Sequence, residues 1–181
     1  MPRAPTWPST RAPARARWRA PSAVTAPVRH SVIAVASRIA RGAPVRGADV
    51  VVEATRLTAP APILRTEWIA PAALVVPYGT MSAVELSLTS IMDKVFVDDW
   101  GQCRRGRFGA LRAHVDRGLV TEDTIAGELA DVVAGTRPGR ERDDERILFW
   151  HRGLATTDIA LGKAILDRAV AQDVGTLLPY R

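Results

Sequence analysis

Residues 1–46 carry nine Arg and no Asp, Glu or Lys, and this segregation of charge limits where the chain can fold. Ala, Pro and Arg make up 27 of those 46 residues, and no hydrophobic periodicity shows before Val32 to Val35. Such a composition cannot bury a core. It predicts a disordered Arg/Pro/Ala-rich leader over 1–46 and a folded body over 47–181. The formal net charge of +6 therefore belongs to the leader: the other 135 residues hold 16 Lys and Arg against 19 Asp and Glu, a net of −3.

Three functional readings compete for the leader. A basic arm for nucleic acid would neutralise phosphates, with Trp7 and Trp18 stacking on bases, but nothing downstream resembles a nucleic-acid domain. An organelle transit peptide needs an amphipathic helix, and Pro2, Pro5, Pro8, Pro13, Pro21 and Pro27 interrupt every window for one. The favoured reading is a shifted or misplaced start, because GC-rich codons read out of frame give Ala, Pro and Arg. One cysteine, Cys103, allows no internal disulfide and fits a reducing cytoplasm. No apolar run approaches the roughly 20 residues that cross a bilayer.

From Gly47 the pattern is α/β. Asp49–Glu53, Ala73–Val76, Lys94–Val97 and Ile147–Trp150 read as short buried strands of a parallel sheet. Leu86, Ile91 and Met92 place an apolar face on a helix between the second and third, which makes a βαβ crossover. Phe108, Leu111, Val115 and Leu119 predict a helix, Ile125 to Val133 another behind a Thr121 N-cap, and Thr156 or Thr157 with Asp158 opens a last helix running to Gly175.

Open parallel sheets hold ligands at the carboxyl ends of their strands. The site candidates are therefore Thr55-Arg56, Pro77 to Thr80, Asp98-Asp99 and His151 to Gly153. The phosphate-cradling turn G-x-G-x-x-G occurs nowhere in the chain, nor does the acidic residue that would follow it and hold a ribose. Without the opening βαβ unit the body is a partial Rossmann-like doubly wound sheet with C-terminal helices, and one sheet edge is left unpaired.

The order and spacing of Gly47 to Thr55, Glu67 to Pro71, Gly79 to Leu86, Val97-Asp98, Gly127 to Gly135, Pro138 to Arg140, Asp143 to Glu145, Phe149 to Gly153 and Asp158 carry a resemblance. Over about 130 residues they are similar to the C-terminal half of the ornithine cyclodeaminase and mu-crystallin family. The resemblance implies hydride transfer with NAD or NADP at the amino or imino carbon of a small amino acid, as in cyclodeaminases, alanine dehydrogenases and imine or ketimine reductases. It also implies a homodimer and a last helix that returns to an N-terminal substrate domain. That domain has no counterpart in the leader, so the expectation is a truncated, inactive fragment. The alternatives are a non-catalytic crystallin-like binding or dimerisation protein and, less favoured, a basic-armed nucleic-acid binder. NAD and NADP stay undistinguished.

The resemblance places Thr55, Tyr78, Gly79, Thr80 and His151 at the cofactor. It also implies a proton-moving aspartate at position 79 or 80, where Gly79 and Thr80 offer no titratable group; reductase or dehydrogenase chemistry is then at least as well supported as cyclodeamination. His151 is the candidate catalytic residue, a proton donor to an imine nitrogen, set against an ordinary strand-end histidine. Arg152 is a candidate for a substrate carboxylate, set against a solvated charge. Asp98-Asp99 lack further ligands at metal spacing, so no metal is expected. The arginines around Cys103 predict a lowered thiol pKa, without a catalytic partner. Arg137 to Glu145 reads as a solvated connection.

Overall fold

The computed structural model describes residues 31–34, 45–176 and 178. Six strands form one parallel sheet in the order β1-β2-β3-β6-β4-β5. They are β1 (Ser31–Ala34), β2 (Val50–Glu53), β3 (Leu74–Pro77), β4 (Lys94–Val97), β5 (Gly127–Glu128) and β6 (Ile147–Trp150). The four strands read from the β-branched runs are present. The boundary of the leader is corrected: β1, inside the segment assigned to it, pairs with all four residues of β2, so the edge of the described sheet lies one strand further out than expected. The short apolar run that begins at Val32 supplies that strand. The remainder of the leader reading, over 1–30 and 35–44, lies outside the described residues.

Register builds the core. Val51, Val75, Leu148 and Val95 are aligned across β2, β3, β6 and β4, and all four are buried. Leu64, Trp68, Leu88, Trp100, Leu111 and Trp150 join the same cluster. The alternate residues Val50, Val52, Leu74 and Val76 are only partly buried, as period-2 alternation requires of the opposite face.

Two helix expectations are corrected. The segment between β3 and β4 is a 3₁₀ turn, Leu86–Ile91, that buries Leu88 rather than Leu86. Ser87, Thr89 and Ser90 are weak helix formers, and the Ser90 hydroxyl donates to the Ser87 carbonyl at 2.7 Å. Glu85 caps no helix there; its carboxylate accepts from the Thr66 amide at 2.8 Å, at the start of the 3₁₀ turn Thr66–Trp68. The stretch after Trp100 splits into α1 (Trp100–Arg105) and α2 (Arg112–Asp116). The cause lies between them. Gly109 has φ +138°, and a Cβ there would stand 2.7 Å from the Trp150 ring, so the chain cannot wind helically past that tryptophan.

Thr121 does not cap a helix: its amide donates to Thr124 Oγ1 at 2.8 Å in a local turn. β5 follows, then α3 (Leu129–Ala134), which ends at Gly135 in the left-handed region as a helix C-terminus favours. The last helix, α4, spans Ala155–Ala171 and buries no residue.

Candidate functional site

The carboxyl ends of β2, β3, β6 and β4 lie side by side and bring most of the nominated residues together. Beyond β3, Tyr78 projects half-exposed and stacks on His151 beyond β6, with centroids 5.1 Å apart. Phe149 stacks on the same imidazole at 5.4 Å. Two aromatic rings thus fix the orientation of a histidine whose side chain stays 37% exposed, enough for a ligand to reach it.

Asp98, at the end of β4, backs that histidine. Its Oδ2 accepts from the Arg152 and Gly153 amides, each at 2.7 Å, and lies 3.3 Å from His151 Nδ1. Nδ1 itself has no aligned hydrogen-bond partner, so the two groups meet as a charge pair when the imidazole is protonated. Asp98 is the residue that strand-end reasoning undervalued. It ends a strand, as expected, but it also ties β4 to the turn after β6. Asp99 serves α1, accepting from the Gln102 amide.

Thr55 is buried, and its Oγ1 has no partner. Its amide donates to Glu53 Oε1 at 2.7 Å. Glu53 is wholly buried and its Oε2 is also without a partner. The turn after β3 is fastened to the same residue: the Tyr78 and Gly79 amides donate to the Glu53 carbonyl at 2.6 and 3.1 Å. A Cβ at Gly79 would stand 2.7 Å from Glu53 Oε2, so the Glu53 carboxylate fills the space a side chain at 79 would need. Sequence reasoning treated Glu53 only as the end of a strand. Its signal was a charged residue at an inward position of a buried strand. Thr80 is exposed, and its carbonyl accepts from the Gly109 amide at 2.8 Å.

Other expectations fare differently. Arg152 is committed within the chain: Nη1 donates to the Gln102 carbonyl at 3.0 Å, and the guanidinium covers Gly106. Cys103 reverses its predicted direction, since burial and then the Asp98 charge push its thiol up to about 12. Arg137 to Glu145 is not simply solvated. Glu145 is buried and meets Lys94 Nζ at 3.3 Å, while Arg140 donates to the carbonyls of Glu145 and Ala72. Among the described residues no group of three or more His, Cys, Asp or Glu is placed to hold a metal ion.

The fold is shared with known proteins. The model of the ornithine cyclodeaminase/mu-crystallin family matches residues 15–173. The chain belongs to that family. The match begins well before Gly47 and takes in β1. The N-((2S)-2-amino-2-carboxyethyl)-L-glutamate dehydrogenase of Staphylococcus aureus is 34% identical over 117 residues, 65% of this chain and 34% of that protein. A Delta(1)-pyrroline-2-carboxylate reductase of Bacillus cereus is 31% identical over 140 residues, 75% of this chain and 42% of that protein. Among solved structures, the Thermococcus litoralis Delta(1)-pyrroline-2-carboxylate reductase with NADH and L-proline superposes with TM-score 0.65 at 25% identity, covering 77% of this chain and 43% of that one. The Paracoccus denitrificans iminosuccinate reductase with NAD+ gives 0.63 at 26%, covering 77% and 42%. The chain thus spans about two fifths or less of the length of these relatives.

Proposed function

We propose that this chain carries the second half of an NAD(P) site in an oxidoreductase acting at the amino or imino carbon of a small amino acid, with His151 as the proton donor to the substrate nitrogen. The observation that carries the reading is the Thr55 hydroxyl, whose Oγ1 is buried and unpartnered at the carboxyl edge of the sheet. Buried polar groups without partners are rare in native proteins, and a ligand with a hydrogen-bonding group at this edge would satisfy it. That atom fits a ribose or phosphate oxygen of a dinucleotide as its partner. When bound, the nicotinamide supplies or accepts the hydride.

The chain's own groups do the rest. Thr55 Oγ1 hydrogen-bonds the cofactor, and Tyr78 with Gly79 and Thr80 walls the ring. Tyr78 and Phe149 hold the imidazole of His151, and Asp98 Oδ2 lies 3.3 Å from its Nδ1, so the ring is placed to pass a proton to the substrate nitrogen as the imine carbon is reduced. No residue supplies a carboxylate from position 79 or 80, so imine reduction or amino-acid oxidation is favoured over cyclodeamination. Arg152, tied to Gln102, binds substrate only if that contact opens. The homodimer belongs to the same reading. It is supported by α4, whose Ile159, Ile165 and Val170 are 71%, 60% and 70% exposed.

Because the 181 residues contain no G-x-G-x-x-G turn, pyrophosphate binding by this chain alone is expected to be weak. NADH titration followed by tryptophan fluorescence tests the reading. We expect saturable quenching that Thr55→Val weakens about tenfold, the loss of roughly one hydrogen bond to a ligand. The same substitution removes an unsatisfied hydroxyl and should leave the unliganded protein as stable as before or more so. Absence of saturable quenching up to millimolar NADH would sink the proposal.

A further inference from the structure

We infer that Glu53 is a substrate-binding carboxylate, and that its Oε2 receives the protonated amino or imino nitrogen of the ligand. The inference rests on the reading above but assigns a residue and a chemical group that the reading leaves open.

Glu53 is 0% exposed, and a buried carboxylate is strongly disfavoured unless a cation or several donors compensate it. Only Oε1 is provided for, by the Thr55 amide. Oε2 has no hydrogen-bond partner, and among the described residues no Lys, Arg or His forms an ion pair with Glu53. A buried carboxylate oxygen without a partner calls for a group that is cationic and carries N–H donors. A protonated amine or iminium is both, and a neutral ring atom is neither.

Gly79 is the independent second observation. Its φ lies outside the left-handed region, so the backbone there does not demand glycine. The carboxylate does: any Cβ at 79 would come within 2.7 Å of Oε2 and 3.2 Å of the Thr55 carbonyl. The turn above Glu53 has therefore been stripped of its side chain on the side that faces Oε2. It is flanked by the exposed Tyr78 and Thr80, and glycine is the residue most able to change backbone conformation. The ligand nitrogen reaches Oε2 as that one residue gives way. Tyr78, which is hydrogen-bonded through its amide to Glu53 and stacked on His151, sets the carboxylate and the proton donor on the same small patch of the edge.

The test is an amide NMR titration of the full chain, with and without NADH, using L-proline and cyclopentanecarboxylate, which has the same ring with carbon in place of nitrogen. We expect L-proline to shift the Thr55 and Gly79 amides and to bind at least tenfold more tightly than the carbocycle. Glu53→Gln should abolish that preference and leave the NADH titration within twofold of the parent. Equal binding of the two ligands, no binding of L-proline, or a preference that survives Glu53→Gln each overturns the inference. Should that variant not fold, the exchange Glu53→Ala with Gly79→Asp returns a carboxylate to the same space. The preference for L-proline should reappear there, and its absence overturns the inference equally. NADH binding without the preference refutes Glu53 alone, whereas the preference without NADH binding refutes the cofactor reading alone.

Discussion

At the scale of single residues, Gly109 shows how a side chain 41 positions away decides backbone shape. Its φ of +138° disfavours any side chain, and Trp150 stands where a Cβ would go. Gly109→Ala should therefore combine backbone strain with overpacking, a cost of about 3 kcal/mol. Gly118 is a built-in comparison, at φ +69° with nothing within 4 Å of its absent Cβ. Gly118→Ala should cost only about 1 kcal/mol. Urea unfolding of the two variants separates strain from crowding, and equal losses would refute the role given to Trp150. At this scale the site was partly legible. Thr55, Tyr78 and His151 were nominated because they follow strand ends, and the structure stacks Tyr78 on His151. Glu53 and Asp98 were undervalued because the features that make them matter, an unpartnered oxygen and two accepted amides, are properties of contacts between strands far apart in the chain.

At the scale of elements, four of the six described strands were legible and the helices much less so. Four short apolar runs became strands within a residue or so of their expected limits, since a strand buried in a parallel sheet is apolar almost throughout. The helices depended on what they packed against. Phe108 and Leu119 have helical spacing with Leu111 and Val115, yet both are exposed: Phe108 lies in the turn that reaches Gly109, and Leu119 follows Gly118, which sits in the left-handed region past the end of α2. The loop before β6 was misjudged for a similar reason. Its Glu145 is buried, and Lys94 of β4 reaches Glu145 and Glu141 at 3.3 and 2.5 Å and the Gly139 carbonyl at 2.7 Å. Lys94→Met should leave the buried Glu145 carboxylate without its main cation and cost about 3 kcal/mol, the low end for a broken buried pair because Arg142 remains 3.4 Å away. Adding Glu145→Gln should recover part of that loss. A destabilisation below about 0.5 kcal/mol by Lys94→Met in urea unfolding would mean that the connection is solvated after all.

For the whole molecule, two buried titratable groups make stability depend on pH in the same direction, in separate windows. His114 is fully buried, with Nε2 3.1 Å from the Glu85 carbonyl and Nδ1 unpartnered; burial holds its pKa below the ordinary 6.5. Between its folded and unfolded values the unfolded chain binds the extra proton. The associated stability is therefore present above about pH 6.5 and is lost as pH falls from there through the folded value. Burial alone would raise the Glu145 carboxyl, but the Glu141 amide, Lys94 and the Arg142 amide outweigh it and hold it below the usual 4.5. Its contribution is intact above about pH 4.5 and disappears as pH drops through its lower folded value. Thermal midpoints should accordingly be level from pH 8 to 7, decline from about 6.5 as His114 is forced to charge, and fall again below about 4.5. His114→Gln removes the first decline and keeps the second, so that its curve stays level down to about pH 5. A parent protein with unchanged midpoints between pH 7 and 5, or a His114→Gln variant that declines in parallel with it, would show that the buried histidine is not what couples this fold to mild acid.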